Sequence, residues 1–122
     1  MARINGVTLS GVSGTWHSPE AEARAPTAEE LESAEPAVLE HIRQSAPEIF
    51  ARLAEYRCQY VGFLVGGHRR VYYNFFRCDE ADVEDDWRTE PVSVLDGGDD
   101  YFHLEYDLDA RECVRFYVNG EA

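Results

Sequence analysis

Between Cys58 and Cys78 apolar side chains occupy successive as well as alternate positions, in the run Cys-Gln-Tyr-Val-Gly-Phe-Leu-Val-Gly-Gly-His-Arg-Arg-Val-Tyr-Tyr-Asn-Phe-Phe-Arg-Cys. Rich in β-branched and aromatic residues and interrupted by glycine, this segment predicts one β-hairpin. A turn over Gly67-His68-Arg69 pairs Val65 with Val71, Phe63 with Tyr73 and Val61 with Phe75 on one face. The other face then pairs Leu64 with Tyr72, Gly62 with Asn74, Tyr60 with Phe76 and Cys58 with Cys78. A hairpin solvated on one side alternates apolar with polar residues, whereas one that is apolar on both sides must be covered on both. A preceding helix is expected to cover the Val61/Phe63/Val65 face. The other face needs a second layer, a ligand or another subunit.

Upstream, residues 27–57 carry a helical period. Leu31, Ala34, Val38 and Ile42 recur at spacings of three or four, and Ile49, Phe50, Leu53 and Ala54 form a second stripe. Thr27 with Glu30 fits a capping box, as does Ser45 with Glu48. Pro47 suits the first turn of a new helix, and Pro36 is expected near a helix start after Ser33. The expected segments end near Gln44 and run from Ala46 to Tyr56. Residues 1–26 hold Gly6, Gly11, Gly14, Pro19 and Pro26 with little periodicity and read as an irregular arm. Within the arm Ile4, Val7, Leu9 and Val12 suit a short strand, and Trp16 is expected to dock onto the body.

Downstream, Pro91–Leu95 reads as a strand, Asp96-Gly-Gly-Asp-Asp100 as a tight turn, and Tyr101–Asp107 and Cys113–Val118 as a second hairpin. Here sidedness and register agree. Phe102 faces Val118, Leu104 faces Phe116 and Tyr106 faces Val114 on the core side, with His103–Tyr117, Glu105–Arg115 and Asp107–Cys113 opposite.

The chain of 122 residues suits a single domain with one modest core. The reading is an arm over 1–26 followed by one α+β domain over 27–122, N-terminal helices packed on a four- to five-stranded antiparallel meander. The order of elements over about residues 36–120 looks like the cystatin-like folds, a group that includes nuclear-transport-factor-like pocket proteins. That resemblance implies a sheet curling around a helix and carries little about activity. Gln59-Tyr60-Val61-Gly62 also resembles the Gln-x-Val-x-Gly wedge of cystatins. Glycine follows valine immediately, however, and the segment opens a strand instead of forming a hairpin tip, which argues against protease inhibition.

Charge changes the picture along the chain. Residues 1–78 contain nine acids and eight Arg, whereas residues 79–122 contain 15 acids and three Arg. The total of 24 acids against 11 basic residues, all Arg, disfavours phosphate backbones and suits a basic protein partner. The acidic residues Asp79, Glu80, Asp82, Glu84, Asp85, Asp86, Asp99 and Asp100 would form a rim. Their spacing lacks the pattern of an EF-hand, and no metal or other cofactor is expected. No apolar run nears the ~20 residues of a membrane span, and no secretory signal opens the chain, so a cytoplasmic location is expected. Three Cys without Cys-x-x-Cys spacing point to free thiols and not to a disulfide frame or zinc site.

The candidate site is the second sheet face, where Tyr60, Leu64, Tyr72, Phe76, Tyr101 and Tyr117 would gather with Asn74, His103 and Arg115. Tyrosine-rich faces with interspersed polar groups and an Arg suit protein interfaces. The expected function is a non-enzymatic interaction module binding itself, as a homodimer, or a basic protein, without nucleic-acid or membrane contact. The alternative is a pocket protein binding a small molecule, or an enzyme, with His103 as its candidate base beside Tyr117 and Tyr72. Cys113, set opposite Asp107, would make a poor nucleophile because that charge disfavours its thiolate.

Overall fold

The computed structural model describes residues 4, 6–9, 22–76 and 101–118, with the side chains of Val7, Leu9, Glu22, Ala23, Tyr101, Tyr117 and Val118 outside that description. Two short strands come first, β1 (Gly6–Leu9) and β2 (Glu22–Ala23), and two helices follow, α1 (Ala28–Ser45) and α2 (Pro47–Ala51). A 3-10 turn over Leu53–Glu55 leads into β3 (Arg57–Val65), β4 (His68–Phe76), β5 (Tyr101–Asp107) and β6 (Glu112–Val118). The domain is α+β, a helix layer on an antiparallel sheet. Strands β3 to β6 pair antiparallel in chain order, β1 adds to β3 in parallel, and β2 also pairs with β3.

Helix α1 starts where the capping box predicts. The Thr27 hydroxyl accepts from Glu30 N–H at 3.1 Å, and Glu30 Oε1 accepts from Thr27 N–H at 2.9 Å, so two donors of the first turn are satisfied reciprocally. Its buried stripe is Ala34, Val38 and Ile42. Pro36 lies inside α1 instead of at a start. Proline deprives the Glu32 carbonyl of its partner, but Glu32 and Pro36 both lie on the exposed side, where water can serve that carbonyl. The second expected capping box is not formed. Ala46 is the cap of α2 and has no side-chain bond. Its N–H closes α1 on Ile42 O at 2.8 Å and its carbonyl opens α2 by accepting from Phe50 N–H at 2.9 Å. Ile49 and Leu53 are buried as expected, whereas Ala54 is exposed.

The first hairpin turns on Gly66-Gly67, both at positive φ (57° and 81°), with Val65 opposite His68. A two-residue loop with two positive φ angles matches the right-handed twist of the strands it joins. The expected turn over Gly67-His68-Arg69 is therefore wrong, and with it the expected pairing. Cys58 faces Phe75, Gln59 faces Asn74, Tyr60 faces Tyr73 and Val61 faces Tyr72. The shift is an odd number of residues, which exchanges the two faces of β3 while leaving those of β4 in place. The helices thus rest on Cys58, Val71, Tyr73 and Phe75, joined by Phe102, Leu104 and Tyr106, and not on Val61, Phe63 and Val65. Val61, Phe63 and Tyr72 form a second apolar cluster on the far side. Both faces are buried, as a hairpin apolar on both sides requires: Val61, Phe63, Tyr72 and Phe76 are at most 5% exposed.

The second hairpin keeps four expected pairs, from Phe102–Val118 to Glu105–Arg115. A bulge between Glu105 and Tyr106 then sets Tyr106 opposite Cys113 and Asp107 opposite Glu112. Val114, expected against Tyr106 in the core, is exposed instead. Trp16, the strand over 91–95, the turn over 96–100, Cys78 and all eight residues of the expected acidic rim lie outside the described residues. No helix among the described residues is long and apolar enough to cross a membrane.

Candidate functional site

The corrected register divides the expected site. Tyr60 belongs with the helix-side core, and Leu64, an even number of residues along the strand, points the same way. Tyr72, Asn74, Phe76 and His103 occupy the other face, where Asn74 pairs with His103 and Phe76 with Tyr101. They are between 1% and 8% exposed within the single chain. Tyr101 and Tyr117 hold their strand positions, but their side chains lie outside the description. Arg115 stands opposite Glu105 as expected yet is exposed, and Glu105 pairs instead with Arg70 at 3.0 Å.

His103 packs its ring 5.5 Å from that of Tyr72. Burial pushes its pKa down to about 4, because taking the imidazolium out of water disfavours the charged form. The neighbouring Glu105 is engaged by Arg70. A base with that pKa is neutral at physiological pH but weak. Cys113 lies opposite Tyr106, not Asp107, and burial pushes its thiol up to about 11. It remains a poor nucleophile, through desolvation and not through the carboxylate.

A charged network spans the Gly66-Gly67 turn and the β5–β6 turn. His68 Nδ1 lies 2.9 Å from Asp107 Oδ2, and Arg70 Nε donates to the same oxygen at 3.1 Å. The N–H groups of Asp109 and Ala110 donate to Asp107 Oδ1 at 2.9 and 2.8 Å. Burial alone would raise the Asp107 pKa, but the Ala110 N–H, Arg70, His68 and the Asp109 N–H outweigh it and hold the carboxyl below its ordinary value. Asp109 is gripped by Arg69, whose side chain also reaches Glu30 at 2.9 Å. His68, Asp107 and Asp109 have ligand atoms within 4.8 Å of one another. A cation there would have to displace two guanidinium contacts, so the cluster reads as a clasp between turns.

A concave feature among the described residues lies elsewhere, between α1 and the first hairpin. A pocket of about 290 Å³ is walled on the helix side by Ala28, Leu31, Glu32 and Glu35, and on the sheet side by Tyr60 and Tyr73. Ile4 completes the lining and donates its N–H to Glu35 Oε1 at 3.0 Å. The two rings meet edge to face, centroids 5.4 Å apart and planes at 84°. Tyr73 is fully buried, and its hydroxyl has no hydrogen-bond partner among the described residues. Burial pushes both phenols up, and the nearby Glu35 charge adds to the rise at Tyr60, so both stay protonated.

Sequence reasoning named Tyr60 but put it on the wrong face, and did not single out Tyr73, Glu32, Glu35 or Ile4 as site residues. The available signal was Gly66-Gly67 between two strands, a strong hairpin mark that places Tyr60 opposite Tyr73. Comparison of the chain with protein-family models, curated proteins and solved structures finds no match.

Proposed function

We propose that this chain is a non-enzymatic binding protein that holds a small molecule in the pocket between α1 and the β3–β4 hairpin. The observation that carries this reading is Tyr73, which lines the pocket and whose buried hydroxyl has no partner among the described residues. Leaving such a group unmatched costs about 1–3 kcal/mol, and native structures keep few of them without a reason. A concavity that joins apolar walls to a few convergent polar groups is how small-molecule sites are built. The order of elements, which looks like that of cystatin-like pocket proteins, is compatible with a cavity between helix and sheet.

Interaction through the second sheet face, the function expected from sequence, has less support. Tyr72, Asn74, Phe76 and His103 are already covered in the single chain, so among the described side chains this face offers a partner no free tyrosine. A homodimer and a cytoplasmic location stay secondary proposals, as does a basic protein partner, which alone draws on the formal charge of −13. Catalysis by His103 is disfavoured by its low basicity.

A library of neutral, cationic and anionic fragments titrated into isotope-labelled protein tests the pocket. Binders are expected to shift the amides of Leu31, Glu35, Tyr60 and Tyr73. Ala28→Trp, a change at an exposed position in the first turn of α1, should block them without loss of fold. If no fragment moves those amides, or if Ala28→Trp leaves all binding intact, the pocket reading fails.

A further inference from the structure

We infer that the pocket selects an organic cation, a protonated amine with at least one N–H on a compact apolar body; this rests on the pocket reading above. Two carboxylates, Glu32 and Glu35, contribute to the lining and, among the described residues, no basic side chain does. Arg24 and Arg69 are committed elsewhere: both bond to Glu30, at 3.0 and 2.9 Å. Among the described residues neither Glu32 nor Glu35 enters an ion pair. Glu35 is steered through Oε1 by the Ile4 N–H, and its charge acts on Tyr60 across the pocket.

The aromatic walls favour the same charge. Tyr60 and Tyr73 stand nearly perpendicular, a corner of two rings beside two carboxylates. Ring faces carry negative quadrupole potential and attract ammonium groups, most strongly where water is excluded. An ammonium N–H can also donate to the Tyr73 oxygen, matching the buried hydroxyl as an acceptor. An anion in this pocket would face two carboxylates in a chain of net charge −13, with no cation among the described lining residues to balance it. Leu31, Ala28 and Ile4 supply the apolar remainder for the ligand body.

Three probes of one shape separate charge from fit: cyclohexylamine, cyclohexanol and cyclohexanecarboxylate, titrated at pH 7 and low salt against the full chain. Cyclohexylamine is expected to bind at least about ten-fold tighter than cyclohexanol, with the carboxylate weakest, and to weaken as salt rises. Glu35→Gln keeps an amide oxygen to accept from Ile4, so the fold should persist. It is expected to lower cyclohexylamine affinity about ten-fold while leaving cyclohexanol unchanged. Cyclohexanol binding as tightly as the amine, or an amine affinity indifferent to Glu35→Gln, overturns the cation inference and leaves the pocket reading standing. No response to any of the three also overturns the inference, and the fragment library then decides the pocket by itself.

Discussion

Asn74 donates its side-chain N–H to Gln59 Oε1 at 3.0 Å, and the two residues face each other across β3 and β4 with at most 1% exposure. An amide pair within an otherwise apolar strand face pins one register, because a slip would bury both amides apart from each other. Asn74→Leu should cost about 1–3 kcal/mol, since Gln59 Oε1 loses this donor in a dry place. The double change Gln59→Leu/Asn74→Leu should cost less than the two single changes added together. Urea denaturation of the four proteins measures the coupling. Strict additivity would mean that the pair does not act as a unit.

The Tyr73 hydroxyl has the opposite character, a buried polar group with no partner among the described residues. Tyr73→Phe removes the oxygen and keeps the ring that stacks with Phe75 at 6.1 Å. Ligand-free stability should hold or rise by about 1 kcal/mol in thermal or urea unfolding. Affinity for cyclohexylamine should fall. A site that loses binding while gaining stability is one where polarity is kept for a ligand. If Tyr73→Phe unfolds the domain, the hydroxyl is structural and the argument for the pocket weakens accordingly.

What could be read from the chain tracks how local the determining physics is. The capping box of Thr27 and Glu30 and the stripe of Ala34, Val38 and Ile42 depend on neighbours within a turn or two, and both form. The register from Phe102 to Glu105 was legible because only one face of β5 and β6 reads as core. In β3 and β4 both faces are apolar, so hydrophobicity does not choose between registers and the loop does. Taking Gly67-His68-Arg69 as the turn moved Tyr60 to the wrong side. The bulge after Glu105, which displaces Val114, leaves no periodic trace. The pocket was the least legible feature. It needs Ile4, α1 and two facing tyrosines brought together from segments up to 69 residues apart, the distance from Ile4 to Tyr73.

Two glycines carry the hairpin for different reasons. At Gly67, φ is 81°, and an L side chain there pays about 1–2 kcal/mol, so Gly67→Ala should destabilise by that amount. Gly66→Asn should be nearly neutral, because asparagine tolerates the left-handed region. At Gly62 the obstacle is space. A Cβ would lie 1.9 Å from the Arg24 carbonyl oxygen, and Arg24 N–H donates to Gly62 O at 2.9 Å. Gly62→Ala should therefore push the 24–26 segment off β3, with a loss of about 1–3 kcal/mol. Amide exchange should show Arg24 deprotected first. Equal protection of Arg24 in the native and Gly62→Ala proteins would contradict the close approach.

His103 gives the fold a dependence on pH whose direction follows from its burial. The neutral ring is favoured in the folded chain, with a pKa of about 4, against an ordinary value of 6.5. Between those values the unfolded chain binds the extra proton, so stability is full above pH 6.5 and falls as the pH drops toward 4. The loss should approach about 3 kcal/mol by pH 4. His103→Gln should flatten that interval, with the other three histidines of the chain left in place. Asp107, held below its ordinary 3.8 by Ala110 N–H, Arg70 and His68 against the contrary pull of burial, acts in a lower window. Its contribution is present above about pH 4 and is lost as the pH falls through the depressed value. Asp107→Asn should therefore change the profile below pH 4 and leave the His103 interval alone. Urea midpoints from pH 7.5 to 3 for the native chain and both variants separate the two. An unchanged slope between pH 6.5 and 4 in His103→Gln would mean that the ring is more hydrated than its 8% exposure implies.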